Sequence, residues 1–276
     1  MGILLALAAA LGYGLSDFVG GLAARRTSAW PVAFMCAVGA LACSVLFALV
    51  TDGHATGVDL AWGALAGIGS GLGGAFLYRG LAAGRMGVVA PVSAVGAAIL
   101  PVAVGVITGE RPELLVWLGI AAAVPGIWLV SREPGGDGSL AAGLVDGVLA
   151  GLGFGLLFAA IGQVPEGAGY RPLALAQASA LLAVVVTATA LGAPWRPTAR
   201  SEVTGGLLAG ALASAAALGF LLATQSGLLT VAAVLTSLYP AFTILLAATV
   251  VREPIHRGQA VGLAFCGLCV TLVAAG

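Results

Sequence analysis

Ionisable groups inside an apolar run of membrane-spanning length are costly, so each one marks a position where chemistry is worth looking for. Asp17 lies about seven residues before the end of the first apolar run. Asp146 lies about seven residues after the start of the sixth, and Arg79 stands about one turn from the end of the third. With a rise of about 1.5 Å per residue, both carboxylates fall ~10 Å below the same membrane face. Three charges from three segments thus share a layer, and opposite charges there lower each other's burial cost. The chemistry this suits is a proton- or substrate-responsive cluster in a cavity that opens toward that face. The plainer alternatives are that Arg79 snorkels to the interface and that Asp146 only favours its helix N-terminus.

Uncharged candidates surround this layer. Tyr13, Phe154 and Phe158 lie near the middle of the first and sixth runs, with Ser16 beside Asp17. Ser93, Thr236 and Tyr239 lie in the fourth and ninth; Tyr78 and Gln225 end the third and eighth; Gln163 and Gln177 flank the loop between the sixth and seventh. Aromatic walls with a few hydroxyls and amides suit a small amphipathic organic substrate. Pro91, Pro101 and Pro240 each remove a backbone donor and free a carbonyl, as gating or kink positions do. Pro125 reads as a packing kink. Glu110 and Glu253 stand at helix junctions, where capping or loop ion pairing is their expected role.

The elements that position these groups follow from composition. The chain of 276 residues is 61% hydrophobic and only 8% charged, with a mean hydropathy of +1.12. A soluble domain of this size needs far more charge to cover its surface, so the expectation is an all-α polytopic membrane protein. Net charge is zero, with no basic block to hold a nucleic acid. Every basic residue is Arg, which excludes a Walker A lysine. No cofactor and no metal site is expected. Cys36 and Cys43, and the Cys266/Cys269 pair, lie inside apolar runs and read as small buried apolar residues. The first apolar run has no basic residue before it and Arg25-Arg26 after it, and it reads as a retained helix.

Ten segments of about 20 residues can be cut: roughly 2–24, 31–50, 58–83, 86–107, 112–131, 139–161, 171–192, 202–224, 231–250 and 256–275. The longest polar gap, Ser131 to Ser139, falls at the midpoint and reads as a linker between a first half, 1–133, and a second, 139–276. The halves repeat. At an offset of 143, Gly84 falls on Gly227, Glu110 on Glu253, Gly119 on Gly262 and Leu129-Val130 on Leu272-Val273. Over 84–130 there are 9 identities in 47 ungapped positions. At an offset of 141, Gly12-Tyr13-Gly14 lands on Gly153-Phe154-Gly155, and Pro31 on Pro172. Five helices is an odd number, so the second copy enters from the opposite side. That is the inverted-topology repeat of many secondary transporters, with a site at the repeat interface. Gly63, Gly67 and Gly71, and Gly143, Gly147, Gly151 and Gly155, are stripes of small residues that let helix backbones approach closely. Nine arginines fall on the face opposite the N-terminus and two on its own face, which makes the former cytoplasmic and puts both termini outside.

Tyr13-Gly14-Leu15-Ser16-Asp17-Phe18, the run from Tyr78 through Pro91 to Ala94, Gly109-Glu110-Arg111-Pro112, and Tyr239-Pro240 ahead of Glu253 together resemble the EamA family of the drug/metabolite transporter superfamily. The resemblance covers the whole chain. It implies ten helices in two inverted repeats, a central cavity formed largely by helices 1, 3, 4, 6, 8 and 9, and transport of amino acids, other metabolites or drugs. Two positions depart from the family pattern. The Trp-Gly common at the start of each repeat is Tyr13-Gly14 and Phe154-Gly155, and an arginine often found in helix 2 is replaced by Cys36 and Gln177. Members are often drawn with cytoplasmic termini, opposite to the arginine count.

The leading expectation is therefore a secondary transporter of small organic solutes in the inner cell membrane. It would work by alternating access, with proton coupling as an option and Asp17 as the coupling or amine-binding group. Its partners would be the small-molecule substrate and membrane lipid. Multidrug efflux is the alternative within transport. A channel would need a filter-like loop or a ring of charges. An intramembrane aspartyl protease would need Gly-x-Gly-Asp, which is absent, as is HExxH.

Overall fold

A computed structural model describes residues 1–24, 29–82, 86–131 and 140–276; the side chains of 78, 80–82, 86–88, 91 and 140–142 lie outside the description. Arg25, Arg26, Arg85 and Arg132 of the arginine count, and the midpoint linker, also lie outside it. The described residues build α1 (Gly2–Ala24), α2 (Ala29–Val50), α3 (Gly57–Ala82), α4 (Met86–Ile107), α5 (Leu114–Ser131), α6 (Leu140–Ile161), α7 (Arg171–Ala190), α8 (Arg200–Gln225), α9 (Leu229–Thr236), α10 (Tyr239–Leu246) and α11 (Arg257–Ala275). Among the described residues nine spans are long and apolar enough to cross a membrane, counting Leu229–Val251 as one, and α4 supplies a further apolar helix. The chain is a polytopic helical membrane protein. In hydrocarbon a helix is favoured because it satisfies its backbone polar groups within the segment.

Packing inverts the pattern of a soluble core. Small residues face the neighbouring helices, as Ala6, Ala9 and Ala10 do on α1, while Leu4 is 68% and Leu49 76% exposed. Glycine sets the crossings. A Cβ on Gly63 would come within 2.2 Å of the Pro172 carbonyl oxygen, and one on Gly67 within 1.9 Å of that of Ala176, so α3 and α7 run side by side in parallel. Gly206 and Gly210 stand in the same relation to Val32 and Cys36, joining α8 to α2. Gly119 meets Val273 and Gly262 meets Val130, a reciprocal antiparallel crossing of α5 and α11. Cys266 and Cys269 are buried in that crossing, beside Gly126 and Gly119.

The packing partners also come in pairs. α1 lies against α8 as α6 lies against α3, α2 against α8 as α7 against α3, and α4 against α6 as the α9–α10 span against α1. Helices α3, α4 and α5 begin at Gly57, Met86 and Leu114, and α8, α9 and α11 begin at Arg200, Leu229 and Arg257, the same offset that aligns Glu110 with Glu253. Asp59 and Glu202, related by that offset too, are both buried near the start of their helices. Asp59 Oδ2 accepts from the Thr56 backbone N–H at 2.8 Å, and Glu202 Oε2 from those of Thr198 and Ala199 at 2.7 and 2.9 Å.

One expectation needs correction. The segment 231–250 is not a single helix: it breaks at Ser237-Leu238 into α9 and α10, and widens to a π-helical turn over Ala247–Val251. Pro240 sits in the first turn of α10, where the missing N–H does no harm, whereas inside a continuous helix its ring would clash with the preceding turn. Pro101, by contrast, is buried within α4, which continues through it.

Candidate functional site

Tyr13 and Asp17 are four residues apart and share one side of α1. Flanking them, Ser16 Oγ donates to the Ala209 carbonyl of α8 at 2.9 Å, and a Cβ on Gly14 would come within 2.9 Å of the Tyr239 carbonyl oxygen of α10. At about 100° per residue, Asp17 points more than about 100° away from Leu4 and Leu11, which are open on the outer side. Asp17 is itself exposed. The exposed side chain lies between the contacts to α8 and α10, in a space between helices.

That space has a chemically distinct wall. Asp17 lies within electrostatic reach of Tyr13, of Cys36 on α2 and of Tyr239 on α10. The Tyr13 ring meets Phe158 edge-on at 5.9 Å between centroids and Tyr239 at 6.4 Å. Phe158 in turn packs on Phe220 at 4.7 Å. Residues of α1, α2 and α10 thus stand around one carboxylate, and Phe158 of α6 and Phe220 of α8 pack behind Tyr13. Asp17 makes no hydrogen bond or ion pair to any residue the structure describes. A carboxylate in such a wall can bind a cationic group, with the tyrosine ring faces adding cation–π attraction, or can take up and release a proton.

Arg79 and Asp146 form a separate centre. Asp146 is 1% exposed, and its Oδ1 accepts from Arg79 Nε at 2.8 Å and also from Nη2. The guanidinium lies 4.7 Å from the Phe76 ring centroid. The pair joins α3 to α6, so two of the three charges expected in one cluster meet each other and Asp17 stands outside their ion pair.

Other candidates are placed elsewhere. Ser93 is buried, with Oγ donating to the Ala90 carbonyl in its own helix at 2.9 Å. Thr236 is fully buried and donates to the Ala6 carbonyl at 3.3 Å, holding the break in the α9–α10 span against α1. Gln225 ties the end of α8 to the Val164 carbonyl at 3.3 Å. Phe154 packs on Gly73 at the α3–α6 crossing. Gln177 is half-buried on α7. The side chains of Tyr78 and Pro91 lie outside the described residues. Phe220 escaped the sequence reading because a lone Phe in an apolar helix carries no signal. Cys36 was marked only by the family pattern.

Glu110 carries a contact that sequence could not show. Its carboxylate accepts from the Leu229 backbone N–H at 2.5 Å and from that of Thr230 at 2.9 Å, capping α9 from the other half of the chain.

Comparison with known proteins bears on the first part of the chain and on the fold. Residues 1–132 match the model of the EamA-like transporter family. Fifteen chains of solved structures match the fold. One, described only as "Crystal structure of protein", superposes with a TM-score of 0.71 over 99% of this chain and 96% of its own, at 18% identity. Among curated proteins no sequence matches the chain. This is a multi-pass membrane protein whose residues 1–132 are similar to the EamA-like transporter family.

Proposed function

We propose that the chain is a secondary transporter of small organic solutes, amino acids or related metabolites, working by alternating access in the cell membrane. The observation that carries this reading is the Asp17 carboxylate, open on an inward side of α1 and walled by Tyr13, Cys36 and Tyr239. A group so placed is costly unless it is used. It serves a substrate amine or a coupling proton. The two halves form an inverted repeat and rock about this site; the paired packing of α1·α8 with α6·α3, and the common offset of the helix starts, support that arrangement.

The test is uptake into proteoliposomes of a labelled amino-acid and nucleobase panel, with and without an imposed pH gradient, for the native chain and Asp17→Asn. We expect gradient-driven accumulation of at least one solute, reduced at least tenfold in Asp17→Asn. Equilibration that ignores the gradient and survives the substitution would leave a facilitator in which Asp17 has no part.

A further inference from the structure

Glu110 reaches the start of α9 by a specific local construction. Gly109 takes φ 109°, the Glu110 N–H donates to the Gly105 carbonyl at 2.9 Å, and the carboxylate turns back to the backbone N–H groups of Leu229 and Thr230. Gly105 leaves it room, since a Cβ there would stand 2.5 Å from Oε2. The first N–H groups of a helix lack partners within the helix, so an acid at this point both satisfies them and complements the helix dipole.

A similar turn recurs at the matching place in the second half, with the Glu N–H reaching six residues back instead of five. Arg252, the counterpart of Gly109, takes φ 62°, and it is the one non-glycine residue with positive φ among those described. A bulky residue adopts that conformation only where its surroundings impose it. The Glu253 N–H donates to the Ala247 carbonyl at 3.2 Å. The counterpart of α9 is α4, whose first residue, Met86, aligns with Leu229. Asp59 and Glu202 give an independent precedent, since both copies keep an acid on the backbone N–H groups that start the corresponding helices.

We infer that Glu253 accepts hydrogen bonds from the backbone N–H groups of Met86 and Gly87, capping α4 as Glu110 caps α9. Each half then supplies a carboxylate that positions the core helix of the other half, with one latch at each membrane face. Opening a face requires its latch to release. Glu110 and Glu253 are positioning residues: α9 leads directly into the Ser237-Leu238 break that precedes Tyr239, and α4 packs against α6, which carries Phe158. The inference rests on the inverted-repeat reading of the two halves.

Hydrogen–deuterium exchange read by mass spectrometry on the full chain in detergent tests it. E253Q is expected to accelerate exchange at residues 86–88 at least tenfold and to leave 229–231 at the native rate, while E110Q does the reverse. Native-rate exchange at 86–88 in E253Q overturns the inference, as does an acceleration spread evenly over all helices. If E253Q does not elute as a single species, Glu253→Asp takes its place, with at least threefold acceleration expected at 86–88 and native-rate exchange again overturning it. The readout needs no substrate, so a failure here is distinct from a failure of the transport reading.

Discussion

Asp17 and Asp146 carry the same group into similar apolar helices, and their surroundings separate them. Asp146 is fully enclosed and paired with Arg79, whereas Asp17 is exposed with no such partner among the described residues. A buried pair contributes little over a well-packed apolar replacement, but removing one partner strands a charge. Arg79→Leu removes two of the hydrogen bonds that the enclosed Asp146 accepts and should cost about 1–3 kcal/mol, read as a fall of several degrees in apparent melting temperature in detergent. The double substitution Arg79→Leu with Asp146→Leu should recover most of that loss. Equal melting of the single and double variants would show that Asp146 finds another partner when Arg79 is gone. Both carboxylates were visible in the sequence because an acid in an apolar run stands out. Which one Arg79 would choose was not visible, because that depends on α3 lying against α6.

At the scale of elements, glycine decides how close two helices come. Gly67 faces the Ala176 carbonyl with no space for a Cβ, whereas a Cβ on Gly267 of α11 meets nothing within 4 Å. Gly67→Ala should destabilise by about 1–3 kcal/mol through overpacking. Gly267→Ala should be neutral or stabilising by up to about 1 kcal/mol, from helix propensity alone. Thermal unfolding of the two variants checks this, and equal effects would contradict the assigned α3–α7 crossing. Helix positions were legible within about two residues for most spans, since hydropathy and flanking polar residues mark them. The break at Ser237-Leu238 was not, because Pro240 in an apolar run is compatible with a kink, a cavity wall or a fresh helix start. Proline alone does not distinguish them, as the unbroken α4 at Pro101 shows.

At the scale of the molecule, the sequence shows one offset shared by the pairs Glu110/Glu253 and Gly119/Gly262, and the helix starts of the two halves share it too. Those residues have physical reasons to recur: the glycines sit in the reciprocal α5–α11 crossing, and Glu110 holds a helix of the other half. Convergence of α1, α2 and α10 on Asp17 was not legible, because it depends on how the helices pack. The account stands on Asp17 facing water inside the bundle, and carboxyl labelling tests that most directly. The protein in detergent would be treated with a water-soluble carbodiimide and glycine ethyl ester, and separately with dicyclohexylcarbodiimide, and modified peptides mapped by mass spectrometry. The account predicts that the water-soluble reagent modifies Asp17 and spares the enclosed Asp146. Modification of Asp17 by dicyclohexylcarbodiimide alone would place it against lipid and contradict the account.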